Sequence, residues 1–469
     1  MFVVLFCIVP TIVLRQDMLI EPDLWWHIKT GLWIWQHRSF PVTDPFSYTY
    51  AGHAWMAKEW LSQLLYAGAW AAGGWSAATA LGVAAIGIFA ALLYWAASES
   101  LKPSVAASVV IVCLLLTSIT FTLRPHLFTL PLLVVWTHAL FTSAQQGRAP
   151  RYWLLLALVL WANLHAAFTM GLVIAAIAFL DFIESHRLSR RGPLAGWVVF
   201  LVLCPVAAFV HPYLYQPMLA TWQVIFPKGW AIPLTEWQAF NAQAYGIHAL
   251  VLMGLVFAAL TSGFRLGYAR SLLVILLLYL FLAHMRYAFF LFPVLVLVAA
   301  PEAARQFPRL ATASWRSGPL DPVEKGMSAG FWLLAHAMGG AMALALAAQV
   351  FLLRTTPPET VAATDALAFA RSHGLTGHVM NYYNFGGPLI LEGIPTFIDG
   401  RTDQLFQGDF AEKFVLGPAD GDSLARALDQ YDVRWTLMPP SDPRVKLLDK
   451  LTGWQRTYAD RFAVIHQRQ

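Results

Sequence analysis

The stretch EPDLWWHIKTGLWIWQH, residues 21–37, opens a polar segment that continues to residue 60 between two apolar parts of the chain. Ionisable side chains beside a bilayer are costly unless they face water, a partner or a substrate. The segment therefore marks a candidate functional site. Its ionisable candidates are Asp23, His27, Asp44, Lys58 and Glu59.

The composition indicates a polytopic membrane protein. Of the 469 residues, 58% are hydrophobic and only 12% are charged, whereas roughly a quarter of the residues in soluble domains are charged. The net charge of +5 is spread over loops without a basic tract, so we expect no nucleic-acid partner. Cys7, Cys113 and Cys204 lie in apolar runs and are expected to be buried hydrophobic residues rather than disulfides or metal ligands.

Apolar runs predict about eleven membrane-spanning helices, since a hydrocarbon core of about 30 Å needs about 20 apolar residues per helix. The first run has no basic n-region and no small-residue cleavage site, so we expect a retained span rather than a removed signal peptide. Residues 1–353 then form the transmembrane domain. The spans are predicted at residues 1–15, 76–97, 104–123, 126–142, 152–162, 165–183, 194–211, 247–262, 271–283, 287–300 and 328–353.

The Lys and Arg residues predict how these spans are oriented. They occur in alternate connections, which the positive-inside rule places in the cytoplasm. The N-terminus is then cytoplasmic, and the first loop, residues 16–75, and residues 354–469 lie on the periplasmic side of a bacterial inner membrane. Residues 152–183 and 271–300 are predicted hairpins, because a single helix in either place would put an Arg-rich connection outside. The basic connections are 98–103, 143–151, 184–193, 265–270 and 305–325.

Two short helices are predicted in the first loop. Residues 22–37 form a Trp-rich helix that is expected to lie in the membrane interface with its polar face turned away from the lipid. Residues 60–73 are too short to span and are predicted as a second juxtamembrane helix. At 100° per residue, Trp25, Ile28, Leu32 and Trp35 share one face of the first helix, and Asp23, His27 and Thr30 cluster opposite.

From residue 354 the chain reads as a small soluble α/β domain. Its length of about 110 residues suffices for one hydrophobic core. The predicted fold class is therefore mainly α: a polytopic helical bundle with a small C-terminal α/β domain. Helices are predicted near residues 360–372, 409–416 and 421–431, and strands at His378–Asn381, Thr396–Asp399, Arg434–Met438 and Phe462–His466.

The predicted topology brings a second set of polar residues to the same side as the first loop. Any one of them is equally well explained as a snorkelling or capping residue at the interface. Together with the first-loop residues, the set predicts a shared polar cavity. Its members are Arg124, His126, Asn163, His165, His211, Glu236, His284 and Arg286.

These residue types suit group transfer from an anionic lipid. Asp23 is the predicted general base, with Glu59 and Asp44 as further carboxylate candidates. Arg124, Arg286 and Lys58 are predicted to bind and neutralise a phosphate leaving group. The further predicted substrate-binding residues are His27, His126, Asn163, His165, Glu236 and His284.

A divalent metal site built from Asp23, His27 and Asp44 is an alternative use of the first-loop residues. Their spacing has no diagnostic value, however, and structural hydrogen bonding is the stronger expectation. The sequence therefore specifies no cofactor.

The C-terminal domain contains two dense polar patches, at residues 381–387 and 398–403. Their Gly-Gly and Asp-Gly pairs are typical of turns, here around an ion pair of Arg401 with Asp399 or Asp403. The alternative is a lid or an acceptor-recognition surface formed by Asp399, Arg401 and Asp403.

These motifs resemble the GT-C superfamily of membrane glycosyltransferases, in the branch of protein O-mannosyltransferases and the aminoarabinose transferases that act on lipid A. In that branch an acidic residue follows the first span, as Asp23 does here, and a Lys-containing segment stands near the position of Lys58. Many relatives carry two adjacent acids, whereas Leu24 follows Asp23. The motifs Asp-Leu-Trp-Trp-His, Asp44-Pro45-Phe46-Ser47, Arg124-Pro125, Asn163-Leu164-His165 and Asp399-Gly400-Arg401-Thr402-Asp403 also resemble a group of bacterial membrane proteins assigned to this superfamily by similarity.

The resemblance implies inverting transfer of a sugar from a polyprenyl-phosphate donor to a lipid, glycan or protein acceptor at the periplasmic face. Two other classes stay open. One is a transporter or flippase of a lipid-linked or anionic solute, since short, broken helices with His and Arg at membrane depth also form transport sites. The other is a non-catalytic scaffold. Transport requires charged residues at both faces and a path between them, so the one-sided cluster favours transfer.

Overall fold

The computed structural model describes residues 16–186, 191–225, 238–312, 355–411, 413–414 and 420–469. The predicted spans at 1–15 and 328–353 lie outside these ranges, and so does the candidate Glu236. The described helices of the N-terminal part are α1 Asp23–His37, α2 Trp60–Ser98, α3 Pro103–Thr117, α4 Thr129–Gln145, α5 Leu154–Leu164, α6 Phe168–His186, α7 Arg191–Ala208, α8 Gln216–Ile225, α9 Gly246–Ser262, α10 Tyr268–Ala283 and α11 Ala288–Gln306.

Several of these helices are long and apolar enough to cross a bilayer. Four shorter apolar helices accompany them among the described residues: α5, α9, α10 and residues Gly192–Ala208 of α7. They agree with the membrane class inferred from composition, and the number of about eleven spans stays a prediction. The five long segments are Trp60–Ser98, Pro103–Thr120, Pro125–Gln145, Phe168–His186 and Met285–Gln306.

Helix α2 is interrupted near its first third. Gly73 and Gly74 have non-helical backbone angles, with a φ of 62° at Gly74, a region that glycine enters without steric cost. The interruption separates residues 60–72 from the long apolar run that follows. The predicted break between the helix at residues 60–73 and the following apolar helix is confirmed, and their placement relative to the membrane stays a prediction.

Both predicted helical hairpins are confirmed. Helix α5 ends at Leu164 and α6 begins at Phe168, while α10 ends at Ala283 and α11 begins at Ala288. Between them, His165 and His284 have extended backbone conformations that end the preceding helix.

The basic connections lie together at one end of the bundle. The backbone N–H of Lys102 donates to the carbonyl of Leu310 over 2.9 Å. The carboxylate of Glu184 accepts from the N–H groups of Tyr268 and Ala269 over 2.8 and 2.9 Å. Connections that the charge pattern assigned to one side are therefore neighbours in space.

The C-terminal part contains a four-stranded sheet in the order β1-β2-β4-β3. Strand β1 is parallel to β2, whereas β4 is antiparallel to both β2 and β3. The strands are β1 His378–Asn381, β2 Val433–Met438, β3 Trp454–Ala459 and β4 Val464–Arg468, and the helices are α12 Glu359–Ala362, α13 Thr364–Ser372, α14 Gly386–Glu392, α15 Asp409–Ala411, α16 Gly421–Gln430 and α17 Pro443–Leu448.

One strand prediction is wrong in this domain, and one strand was not predicted. Thr396–Asp399 does not join the sheet: Thr396 exchanges two backbone hydrogen bonds with the first loop, at Phe46 and Tyr48. Strand β3 was not predicted, because its half-exposed sequence WQRTYA lacks a clear apolar alternation. The other three predicted strands are present within two residues of their predicted bounds.

Helix α1 is not an interfacial helix with one lipid face, and this expectation is wrong. Both of its faces are covered, and only Trp35, at 54% exposure, is open among the four predicted apolar-face residues. Helix α2 packs on one side, where a Cβ on Gly31 would approach the carbonyl oxygen of Gln63 to 2.1 Å. On the other side a Cβ on Gly387 of α14 would approach the carbonyl oxygen of Pro22 to 2.3 Å. The first loop is therefore enclosed between the bundle and the C-terminal domain.

We expect Gly31→Ala to destabilise the protein by about 1–3 kcal/mol, because the added methyl group has to displace the backbone of α2. Gly68→Ala is the matched control, since a Cβ at Gly68 meets no atom within 4 Å. Thermal unfolding of the detergent-purified variants measures both effects. Equal midpoints for the two variants would contradict this close packing.

Candidate active site

Asp23, the first residue of α1, lies at the centre of the polar cluster. Its carboxylate accepts from Arg124 Nη2 over 2.5 Å and from the indole N–H of Trp26 over 3.0 Å. The backbone of Gly400 covers it so closely that a Cβ there would lie 1.8 Å from Asp23 Oδ1. Asp23 is only 3% exposed. Asp23 and Arg124, predicted to share a site, are thus in direct contact beneath the C-terminal domain.

A second carboxylate, Glu59, lies between two histidines immediately before α2. Its Oε2 is 3.8 Å from His27 Nε2, and its Oε1 is 3.5 Å from His165 Nε2. The three side chains come from α1, from the residue before α2, and from the turn after α5. The loop-to-bundle packing therefore assembles this group from distant parts of the sequence.

Hydrogen bonds at the far ring nitrogens assign the tautomers of the two histidines. Gln63 Nε2 lies 3.3 Å from His27 Nδ1, and the backbone N–H of Ala167 donates to His165 Nδ1 over 3.3 Å. Both Nδ1 atoms are therefore acceptors, and both Nε2–H groups face Glu59.

Burial sets the protonation of this group. It lowers the pKa of His27 and His165, and the neighbouring positive charges lower both further. Burial also raises the pKa of Glu59 to about 7, against the opposing charge of Lys58. Glu59 is thus a carboxyl group that exchanges its proton near neutral pH while both histidines are neutral.

Lys58 connects the first loop to the C-terminal domain through an ion pair with Asp403. Burial acts to lower the pKa of Lys58, but Asp403 and Glu59 outweigh it and raise that pKa. The charge of Arg286 acts on Lys58 and Glu59, so Arg286 lies within electrostatic range of both. The charges of Lys58, Arg124 and Arg286 therefore all act on Glu59, and Arg124 is also paired with Asp23.

Asp44 does not face this cluster. Together with Asp399 it binds Arg401, which has no exposed surface. Asp399 contacts the Arg401 guanidinium through both oxygens, each over 2.7 Å. The guanidinium also stacks over Trp55, 4.9 Å from the ring centroid. Of the two predicted pairings of Arg401 the one with Asp399 is confirmed, whereas Asp403 pairs with Lys58.

The other predicted polar residues lie at the same end of the bundle, mostly in structural hydrogen bonds. Asn163 accepts from the Trp60 indole over 2.6 Å and donates to two carbonyls. His211 Nε2–H donates to the carbonyl of Lys58 over 3.1 Å, and His126 Nε2–H donates to the carbonyl of Thr120 over 2.6 Å. His284 ends α10 beside Tyr287. These four residues therefore stabilise the helices and turns that carry the cluster.

Three contributors were not predicted as site residues. Trp26 lies one helical turn after Asp23, a spacing that the sequence does show. Gln63 binds His27 across the α1–α2 contact. Tyr383 lies in the dense patch 381–387, and burial together with the charge of Asp23 raises its pKa. Only the first of these contacts is local in sequence.

An apolar groove of about 670 Å³ lies beside the cluster, between α2, α5 and residues 209–214. Most of its wall is aliphatic, including Leu156, which is 72% exposed. Asn163 and His211 are polar members of its lining, and His211 binds the backbone of Lys58. The groove therefore connects the outer surface of the helices to the residues next to Glu59.

The three residues of the alternative metal site each pair with a different partner. Asp23 binds Arg124, His27 faces Glu59, and Asp44 binds Arg401. Among the described residues, no three His, Cys, Asp or Glu side chains are arranged to coordinate a metal.

Comparison with known proteins places the chain by its fold. No family model matches it, and no curated protein matches it in sequence. The oligosaccharyltransferase AglB of Archaeoglobus fulgidus, solved with an inhibitory peptide and a dolichol-phosphate, has a TM-score of 0.58 at 12% identity, over 93% of this chain and 69% of AglB. ArnT of Cupriavidus metallidurans, solved with undecaprenyl phosphate, has a TM-score of 0.56 at 16% identity, over 99% and 97% of the two chains.

Both solved proteins are GT-C membrane glycosyltransferases. The chain therefore shares the fold of these two proteins, and the resemblance inferred from the sequence motifs is confirmed at the level of the fold. At these identities the likeness shows the fold alone.

We expect Arg401→Met to destabilise the protein by about 3–5 kcal/mol, because Asp44 and Asp399 would be left buried without a counter-charge. Arg434→Met is the matched control, since Arg434 forms an exposed pair with Asp432 on the surface of the same domain. The two free energies are compared by chemical unfolding followed by tryptophan fluorescence. A loss of less than about 1 kcal/mol would show that the buried pair is not a major contributor.

The raised pKa of Glu59 predicts how stability depends on pH. The folded protein retains this proton up to about pH 7, whereas the unfolded chain loses it near the ordinary glutamate pKa of 4.5. Since the unfolded state binds fewer protons in this window, Glu59 lowers stability as the pH rises from about 4.5 to 7. The variant Glu59→Gln lacks this titration. We expect its free energy of unfolding, relative to that of the wild type, to be higher at pH 8 than at pH 5 by up to about 3 kcal/mol.

Thermal unfolding at the two pH values measures this effect. Glu392→Gln, at an exposed carboxylate paired with Arg371, is the control. If the difference between wild type and Glu59→Gln is the same at both pH values, Glu59 does not titrate in this range.

Proposed function

We propose that the protein is a membrane glycosyltransferase that transfers a sugar from a polyprenyl-phosphate donor to an acceptor in the cell envelope, at the periplasmic face. One observation supports this most: the GT-C fold brings Asp23, Glu59 and three cations into one cluster at a single end of the bundle. The solved neighbours AglB and ArnT hold a dolichol-phosphate and undecaprenyl phosphate. A lipid-linked phosphate donor is therefore the class of ligand that suits this cluster best.

Asp23 is the proposed general base. An acceptor O–H or N–H would give its proton to the Asp23 carboxylate while the acceptor atom forms a bond to the anomeric carbon. The bond from that carbon to the phosphate oxygen breaks at the same time, and its electron pair leaves with the phosphate. Attack from the face opposite the phosphate inverts the anomeric configuration. The ion pair with Arg124 favours the ionised form of Asp23 that this step needs.

Lys58, Arg124 and Arg286 are proposed to bind the departing phosphate. Negative charge accumulates on the phosphate as the bond breaks, and cations placed beforehand stabilise that charge. Arg124 presents a planar fork of donors, so it is able to contact Asp23 and a phosphate together. Glu59, with a pKa of about 7, is suited to exchange a proton with the acceptor or the phosphate at neutral pH.

The apolar groove beside Asn163 and His211 is the proposed site for the polyprenyl chain. Its aliphatic wall offers no partner to a free sugar or an ion, whereas a polyprenyl chain gains free energy by covering apolar surface. A donor bound there would place its phosphate beside Lys58, whose backbone His211 contacts.

Transport is less well supported by the structure. Charged residues do occur at the opposite end of the bundle, where Arg270 binds Asp181 and Glu302. These three residues are buried, and Glu302 also pairs with Arg305, so two cations balance two carboxylates. The described residues between the two ends form one large apolar cluster rather than a line of polar side chains. A one-sided reaction site accounts for these features better than a path.

We expect Asp23→Asn to lower sugar transfer by about 100-fold or more, the usual contribution of a general base. Envelope glycolipids and glycoproteins are compared by mass spectrometry in cells that lack the gene and express either wild type or variant. Asp432→Asn, at an exposed aspartate of the C-terminal domain, should leave transfer unchanged.

Thermal unfolding of the purified variant separates loss of chemistry from loss of fold. Full transfer by a folded Asp23→Asn protein would exclude Asp23 as the base. A glycan profile that is unaffected by deletion of the gene would contradict the proposed reaction class.

A further inference from the structure

A cavity of about 700 Å³ lies at the end of the bundle opposite the Asp23 cluster. It is lined by the last turn of α2, the second half of α4, residues 146–151 and the start of α5. None of its lining residues contributes to the proposed glycosyl-transfer site. The cavity is therefore a separate feature with its own chemistry.

Two guanidinium groups dominate the charge of this cavity. Arg148 and Arg151 both line it and both are exposed. The backbone of Arg148 is fixed, since its N–H donates to the carbonyl of Ser143 over 3.0 Å and its carbonyl accepts from the Trp197 indole over 3.0 Å. Gly147 allows this turn with a φ of 64°. The turn therefore places a cation at a defined position on the cavity wall.

The cavity also contains a carboxylate, but that carboxylate has its own partner. Glu99 Oε2 lies 3.2 Å from His138 Nε2, and the Trp95 ring lies edge-on to His138 with a centroid separation of 4.8 Å. Among the lining residues, the two guanidinium groups of Arg148 and Arg151 outnumber the single carboxylate of Glu99. An anionic ligand is therefore favoured over a cation.

Two tryptophans on the rim indicate that the ligand has apolar parts. Trp95 and Trp153 both line the cavity and are 47% and 49% exposed. Trp side chains are favoured at the level of lipid headgroups, with the ring against acyl chains and the N–H in the polar layer. Tyr152, next to Trp153 in the chain, continues this exposed apolar surface, at 48% exposure. A ligand bound here would meet lipid on one side and two cations on the other.

We propose that this cavity binds a glycerophospholipid of the leaflet at that end, with its phosphodiester on Arg148 and Arg151 and its acyl chains along Trp95 and Trp153. Arginine pairs with phosphate oxygens through two parallel hydrogen bonds, which gives geometric selectivity as well as affinity. The proposal does not rest on the glycosyltransferase function, since it uses no residue of that site. The lipid is a bound component rather than a substrate.

Native mass spectrometry of the full-length protein in detergent, titrated with phosphatidylglycerol, tests the proposal. We expect the double variant Arg148→Ala with Arg151→Ala to bind the lipid at least about tenfold more weakly than wild type, since two charge-assisted contacts are lost. The matched control is Arg265→Ala with Arg309→Ala, which removes two exposed cations at the same end outside the cavity. The control should bind like wild type.

Two further arms make the outcome decisive. Arg148→Lys with Arg151→Lys retains charge without the planar fork and should bind with intermediate affinity, and thermal unfolding confirms that each variant is folded. Inorganic phosphate is added as a competitor, because a simple phosphate site would release the lipid at millimolar phosphate. Equal lipid binding by both alanine double variants, or displacement of the lipid by inorganic phosphate, would overturn the proposal.

Discussion

Arg401 has no solvent-exposed surface, and its guanidinium binds Asp399 of its own loop and Asp44 of the first loop, 357 positions earlier in the chain. Burying a cation without partners is prohibitively costly, so the two loops are stable in this arrangement only when they bind it together. The residues on either side of Arg401 then have defined positions. Gly400 lies against Asp23, and Asp403 reaches Lys58. The geometry of the candidate site is therefore a consequence of one buried ion cluster.

The two carboxylates of the site differ because their surroundings differ. Asp23 has a guanidinium at 2.5 Å and an indole donor, which favour its charged form. Glu59 faces two neutral histidines in a buried setting that raises its pKa to about 7. Two carboxyl groups in different surroundings commonly take separate roles in proton transfer. This difference supports distinct roles for Asp23 and Glu59, whichever step each one assists.

Sequence patterns predicted those features that depend on local periodicity or on charge distribution. The hairpins at His165 and His284, the break at Gly73–Gly74 and the gathering of Arg124, His165 and Arg286 at one end all followed from apolar run lengths and basic loops. The position of Asp44 did not follow from these patterns. Its partner Arg401 lies in another domain, and ion pairing over such a separation leaves no local sequence pattern.

The covered face of α1 was missed for a related reason. A Trp-rich amphipathic helix has the same periodicity whether it lies in lipid or between two protein surfaces. The distinction rests on Gly31 and Gly387, which allow the backbones of α2 and α14 to approach α1 closely. A glycine in the sequence indicates that another backbone is able to approach closely, but it does not indicate which element approaches.

The contact between the first loop and the C-terminal domain constrains how any loss of activity at Asp44, Asp399 or Arg401 is interpreted. Arg401 packs against Phe46 and Trp55, which belong to the same apolar cluster as Trp26, so removing one charge disturbs the support of Asp23 as well as the local ion pair. A variant at Arg401 would therefore lose transfer without Arg401 touching substrate. Asp403 differs, because it is partly exposed and its pair with Lys58 lies at the edge of the cluster. If a variant at Asp403 loses transfer but keeps normal stability, the change acts on Lys58 and hence on phosphate binding. If the loss of transfer comes with unfolding, the role of Asp403 is to stabilise the first loop.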